Sequence, residues 1–227
     1  ELAAVCGLDA PPQRIEGYDI SIIQGVYSVA SMVVFEDGKP AKHAYRRFRI
    51  KTVEGANDFA SLAETLTRRF LRQRAGDDKF LAMPDLIMID GGREQLKAVC
   101  RALEDIGVQA KLCSLAKKEE EIYLPGREAP IRLPRTSGAL QTLQRLRDEA
   151  HRFAITYHRS LRSKKSLGSV LEEIPGVGPK RRTALLSHFE NLTAIEHASL
   201  EQLAAVPGMT QASAKSVYDA MHPHENG

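Results

Sequence analysis

Two aspartates stand where acids are costly. Asp19 interrupts an apolar stretch that continues through Ile20, Ile22 and Ile23, and a buried carboxylate is unfavourable unless it is paired or holds a metal. Asp90 closes the apolar run Leu86-Ile87-Met88-Ile89 and precedes Gly91-Gly92. That places it at the carboxyl end of a buried strand, where α/β sheets hold ligands. Each has a plainer reading as well: a structural ion pair for Asp19, a turn or helix cap for Asp90. If the two strands are neighbours, both carboxylates converge at one edge of the sheet. Two hard oxygen ligands at a phosphate-binding surface suit Mg²⁺ or Mn²⁺. A third ligand is sought on the helix expected over 137–162. At about 100° per residue, Leu143, Leu146, Ala150, Phe153, Ala154, Tyr157 and Leu161 form one apolar stripe with His151 and His158 on its edge. Asp148 points away from the stripe's centre, so the wheel prefers a histidine and leaves open which of the two. No Ser-His-Asp or Cys-His arrangement competes for catalysis.

A second signal is a repeat. Leu171-x-x-Ile174-Pro175-Gly176-Val177-Gly178 returns 32 positions later as Leu203-x-x-Val206-Pro207-Gly208-Met209-Thr210, and apolar helices follow both copies. A tight glycine turn ahead of a helix lets a phosphate approach backbone N–H groups, and the helix dipole favours its charge. The pattern resembles the helix-hairpin-helix motif, which binds DNA through phosphates without reading sequence. Gly176, Gly178, Lys180 and Arg181 are the expected DNA contacts of the first copy, Gly208 and Thr210 those of the second. Thr210 replaces the second glycine and Ala212 stands where Lys180 stood, so the second copy is expected to bind more weakly.

The elements that must position these residues follow from periodicity and turn chemistry. Strands are expected over 15–23, 28–35 and 42–50, the last two joined through Asp37-Gly38-Lys39-Pro40, as in a hairpin. A helix over 57–73, the buried strand 86–89, a helix over 93–106, a strand over 111–115 and short strands near Ile122 and Ile131 come next. The order β-β-β-α-β-α is that of ribonuclease H-like domains. The expected fold is therefore an α/β ribonuclease H-like domain over 1–162, a polar linker over 163–169, and a small all-α tandem helix-hairpin-helix domain over 170–227.

The chain has 227 residues and a net charge of +3. Residues 166–227 carry four basic and seven acidic residues, a net of −3, which leaves +6 for residues 1–165. Part of that excess lies in Arg145, Arg147, Arg152, Arg159, Arg162, Lys164 and Lys165, a strip that could meet phosphates, with Arg159 as its candidate contact. No apolar run reaches the ~20 residues of a membrane span. Cys6, Cys100 and Cys113 are scattered without a C-x-x-C pair, which argues against a disulfide framework and fits a reducing cytoplasm. The first residue is Glu1 rather than Met, so the chain is expected to be part of a longer protein.

Longer blocks carry a family resemblance: Glu16-Gly17-Tyr18-Asp19-Ile20-Ser21, Val29 to Phe35, Tyr45-Arg46-Arg47-Phe48, Pro84 to Gly92 and Arg147 to Ala154. Together with the hairpin pair they resemble the C-terminal half of the UvrC family, the incision subunits of bacterial nucleotide excision repair. The resemblance implies a metal-dependent endonuclease that cuts damaged double-stranded DNA on the 5′ side of a lesion, with an Asp-Asp-His constellation mapping onto Asp19, Asp90 and His158. Asp58 matches a family acid linked to the same cut and ranks second, because an aspartate at a helix start is also a natural cap. The family's partners, UvrA and UvrB, would deliver the damaged site, and the segment that engages UvrB would lie upstream. Two rivals are an actin-like ATPase, which needs a second such domain, and a non-catalytic scaffold that binds DNA structure.

Overall fold

The computed structural model describes residues 1–23, 27–53, 55, 57–189 and 192–222, without side chains at 22, 23, 27, 158–167, 169 and 192. Two compact units divide at Ile155/Thr156, each with its own apolar core.

The first unit opens with a short helix, α1 (Leu2–Cys6), followed by two long strands, β1 (Arg14–Ile23) and β2 (Tyr27–Glu36). Asp37 and Gly38, both at positive φ, turn the chain into β3 (Lys39–Pro40), which pairs back onto β2. The strand expected over 42–50 is shorter. Lys42–Ala44 forms a 3₁₀ turn and β4 covers Arg46–Arg49. Helix α2 (Asp58–Arg74), β5 (Leu86–Asp90), α3 (Arg93–Asp105), β6 (Leu112–Ala116) and β7 (Glu121–Tyr123) complete the alternating part, and Ile131 bridges Ile122. The seven-stranded sheet runs β3-β2-β1-β5-β6-β7, with β4 also paired to β2. β1, β5 and β6 are parallel neighbours; the other pairings are antiparallel. This mixed sheet with its helices is the α/β ribonuclease H-like architecture read from the element order.

Alternation along β1 assigns its two faces. Glu16 and Tyr18 turn toward α2, where the fully buried Arg69 donates through Nε and Nη2 to Glu16 at 3.0 and 2.8 Å, and the Tyr18 hydroxyl adds a bond of 2.8 Å. Gly17 and Asp19 turn toward α4 (Gly138–Glu172). A Cβ added at Gly17 would lie 2.7 Å from Leu146 Cγ, so only glycine lets this helix rest so closely on the strand.

Helix α4 extends ten residues past the end expected at 162, and 163–169 has helical backbone. Lys164, Lys165 and Leu167 are good helix formers, and no proline intervenes before Pro175. The second unit holds the C-terminal part of α4 together with α5 (Pro179–His188), α6 (Leu192–Glu196), α7 (Leu200–Ala204) and α8 (Gln211–Met221). Its core is Leu171, Ile174, Val177, Leu185, Ile195, Leu203, Val206, Ala214 and Val217 with Ala198. Both repeat copies supply the same positions to it, Leu171 and Ile174 in one, Leu203 and Val206 in the other. This is the all-α tandem hairpin architecture expected.

Candidate active site and nucleic-acid interface

The parallel register pairs Tyr18 with Ile89, so the next residues, Asp19 and Asp90, stand side by side where β5 ends and its pairing with β1 stops, while β1 itself runs on to Ile23. Both side chains are almost fully buried. Burial, reinforced by the neighbouring charge of Asp90, pushes the Asp19 carboxyl up to about 6, and Lys117 and His151 only partly offset this. Lys117, in the turn after β6, brings its ammonium within 3.2 Å of Asp90 Oδ2. The contact is an ion pair rather than a hydrogen bond, for both Asp90 oxygens are buried without a hydrogen-bond partner among the described residues. Ser31, paired with Asp19 across β1 and β2, likewise keeps a buried, unpartnered hydroxyl.

Helix α4 contributes His151, whose Nδ1 lies 3.6 Å from Asp19 Oδ2. Spacing explains the meeting. Leu146 sits on Gly17; five residues of helix rise ~7.5 Å and two residues of strand ~6.6 Å, so His151 comes level with Asp19. His158 and Arg159, both singled out in the sequence, lie in α4 backbone with side chains outside the described residues. Asp148 lines a cleft of about 280 Å³ with Asp90, Lys117, Glu120, Arg147 and His151. It is exposed there and paired with Arg147 at 3.2 Å, as is Glu120 at 2.8 Å.

Asp58 is not the cap of α2. Asn57 is, with Oδ1 accepting from Ala60 N at 3.1 Å. Asp58 instead lines a second cleft, of about 250 Å³, with Asp19, Asp90, Gly91, Gly92 and Lys117 among others. Asp90 is not a cap either: Gly92 caps α3, and Gln95 Oε1 accepts from Gly92 N at 2.6 Å. Among the described residues no three His, Cys, Asp or Glu side chains close around one metal position. The donor chemistry still fits a hard divalent cation. Two buried carboxylates that repel each other, one of them without a hydrogen bond to either oxygen among the described residues, are stabilised by a dication more than by one lysine.

In the second unit Gly176 and Gly208 occupy matching left-handed positions at φ 81° and 83°. Gly178 caps α5 without any side-chain bond, so the amides of Lys180 and Arg181 head that helix. Thr210 caps α8 differently: Thr210 N donates to Ser213 Oγ at 2.9 Å and Ser213 N to Thr210 Oγ1 at 3.2 Å. The second copy thus uses internally two of the amides that a phosphate would need. Arg181 donates through Nε to Gly208 O at 2.9 Å and through Nη1 to Gly176 O at 2.7 Å, tying the two turns together. Gly178, Pro179, Lys180, Arg181, Pro207 and Gly208 line one shared groove of about 620 Å³.

Sequence reasoning missed Lys117, because a lysine in the run Lys117-Lys118-Glu119-Glu120 looks like any solvated turn. It also missed the buried Glu16–Arg69 pair. A glutamate in an apolar strand was a signal of the same kind as Asp19.

A mixed sheet with two acids side by side on neighbouring parallel strands, followed by paired hairpins, defines an endonuclease domain of the ribonuclease H-like class with a tandem helix-hairpin-helix unit. Residues 3–155 match the family described as UvrC RNAse H endonuclease domain, and residues 169–222 match the SAM-like helix-hairpin-helix tandem. The chain belongs to the UvrC family. It is 52% identical over 97% of its length to UvrABC system protein C of Dehalococcoides mccartyi strain BAV1, and 51% identical over its full length to that of Moorella thermoacetica. It spans 37% of the length of each of these relatives. Among solved structures, an endonuclease V of Ciona intestinalis bound to inosine-containing DNA overlaps with a TM-score of 0.41 at 11% identity, covering 66% of this chain and 87% of that one. No helix among the described residues is long and apolar enough to cross a membrane.

Proposed function

We propose that this chain is the part of a nucleotide excision repair nuclease that hydrolyses a DNA phosphodiester on the 5′ side of a lesion. The observation that carries the reading is the pair Asp19 and Asp90, buried side by side, with the Asp90 oxygens lacking hydrogen-bond partners among the described residues and His151 against Asp19. Asp19, Asp90 and His151 would hold a divalent ion, and the contact of His151 with Asp19 favours it over His158 as the histidine of the site. Mg²⁺ or Mn²⁺ held there supplies Lewis acidity toward the phosphate and eases deprotonation of attacking water. The protein's own part is positional. Asp19 and Asp90 would hold the cation where the pairing of β1 with β5 stops, His151 would orient Asp19, and Asp58 borders the cleft through which the backbone would enter. The amides heading α5, with Lys180, would hold phosphates of the duplex without reading bases. UvrA and UvrB, named in the relatives' system, would load the damaged site in the cytoplasm.

A non-catalytic scaffold is the rival, favoured by the lack of a closed three-ligand cage among the described residues. Incision of a lesion-bearing duplex loaded with UvrA and UvrB separates the two. Asp19→Ala, Asp90→Ala and His151→Ala should each abolish the 5′ cut by roughly 10²-fold or more, with duplex affinity retained. Full cutting by all three variants would reject this site, and a wild-type chain that binds the duplex without cutting it would leave the scaffold standing.

A further inference from the structure

We propose that Lys117 is the exchangeable counter-ion of the carboxylate pair: a divalent ion must displace its ammonium from Asp90, and the displaced ammonium then faces the DNA phosphate. This rests on the nuclease reading and adds a positioning residue to it.

Three observations carry the inference. The Lys117 ammonium lies 3.2 Å from Asp90 Oδ2, yet its side chain is 67% exposed while that of Asp90 is 1% exposed. The lysine therefore reaches in from solvent and is not built into the core. The contact lacks hydrogen-bond geometry, and neither Asp90 oxygen has another partner among the described residues, so the ammonium can leave without breaking a hydrogen-bond network. Finally, Lys117 lines both clefts that border Asp90, the one with His151 and Arg147 and the one with Asp19 and Asp58. Parallel pairing of Asp90 with Leu115 puts Lys117 two residues past the level of Asp90 and one past the end of β6, over the edge where a phosphate would arrive.

Two cations cannot share Asp90 Oδ2 at contact distance without repulsion. The lysine therefore weakens divalent binding in the free protein. DNA offers the ammonium another anion, so DNA and metal should help each other to bind.

The test is Mn²⁺ binding, followed by the resonance of free Mn²⁺, for wild type, Lys117→Met, Lys117→Arg and Asp90→Asn, with and without duplex DNA. Lys117→Met, which keeps the stem and removes the charge, should tighten Mn²⁺ roughly tenfold, while Lys117→Arg stays near wild type. DNA should tighten Mn²⁺ on wild type and do so less on Lys117→Met. Unchanged or weaker Mn²⁺ binding in Lys117→Met would overturn the proposal. Asp90→Asn keeps the two failures apart. Lost binding there with no effect of Lys117→Met rejects only the counter-ion, whereas unaltered binding in Asp90→Asn rejects the metal site itself.

Discussion

Asp19 carries its charge against both burial and a neighbouring carboxylate, and stability must reflect that. A folded-state value of about 6 lies above the ordinary range of an unfolded aspartate, ~3.9. The folded protein then binds the proton more tightly, so Asp19 costs nothing below about pH 4 and destabilises progressively as pH rises through 6. Asp19→Asn should therefore raise unfolding free energy by about 1–3 kcal/mol at pH 7–8 and by little near pH 4, measured by urea titration, while it removes cutting. A gain that failed to grow between those pH values would show that repulsion at the site is not what Asp19 experiences. Incision should also rise with pH through 6 as Asp19 sheds its proton. At this scale the two aspartates were legible, since a charge inside an apolar run has few explanations. The histidine was not fixed by the sequence. His151 and His158 are seven residues apart, within ~20° on the wheel, and the choice of His151 is our proposal from its contact with Asp19. Asp58 looked like a cap because no rule says which of two adjacent polar residues takes that role; Asn57 does.

Helix α4 is set on the sheet by one missing methyl group. Gly17→Ala would place a Cβ against the buried Leu146, and overpacking of this kind costs about 1–3 kcal/mol. Relief by moving α4 outward would also take His151 from Asp19. We expect incision to fall by roughly 10²-fold, beyond what the stability loss explains, and a variant that is destabilised but still cuts normally would refute this coupling. The hairpin elements permit a cleaner dissection. Arg181→Ala should weaken duplex binding through the lost carbonyl contacts and leave the slope of log affinity against log salt unchanged. Lys180→Ala should lower that slope by about 1. A drop in slope for Arg181→Ala would mean that its guanidinium meets phosphate, as its place beside Lys180 first suggested. Element types and pairings were readable from periodicity because each buried strand and amphipathic helix obeys its own repeat. The break of 42–50 into a 3₁₀ turn and β4 was hidden, because the stretch alternates plausibly and its turn is stabilised only by local backbone bonds such as Ala44 N to Ala41 O at 2.9 Å.

Two units with separate cores should unfold in two steps. The larger one encloses Glu16 and Arg69, both fully buried and joined bidentately, with Arg69 also donating to the carbonyls of Phe80 and Ala82. Removing one partner strands the other charge in the core, at about 3–5 kcal/mol. Glu16→Gln should thus lower the denaturation midpoint of the sheet-containing unit and leave the helical transition of the hairpin unit in place; a shift of both together would mean that they unfold as one. Such a pair is illegible in sequence because its members are 53 residues apart. The duplication was legible, but not what became of it. At matching places in the two copies stand Arg181 and Ser213. The arginine reaches out to hold the other turn, whereas the serine folds back to close its own helix end. Twin halves have thus become a grip and its brace, and restoring the symmetry of the repeat by Thr210→Gly would open the brace rather than add a second grip.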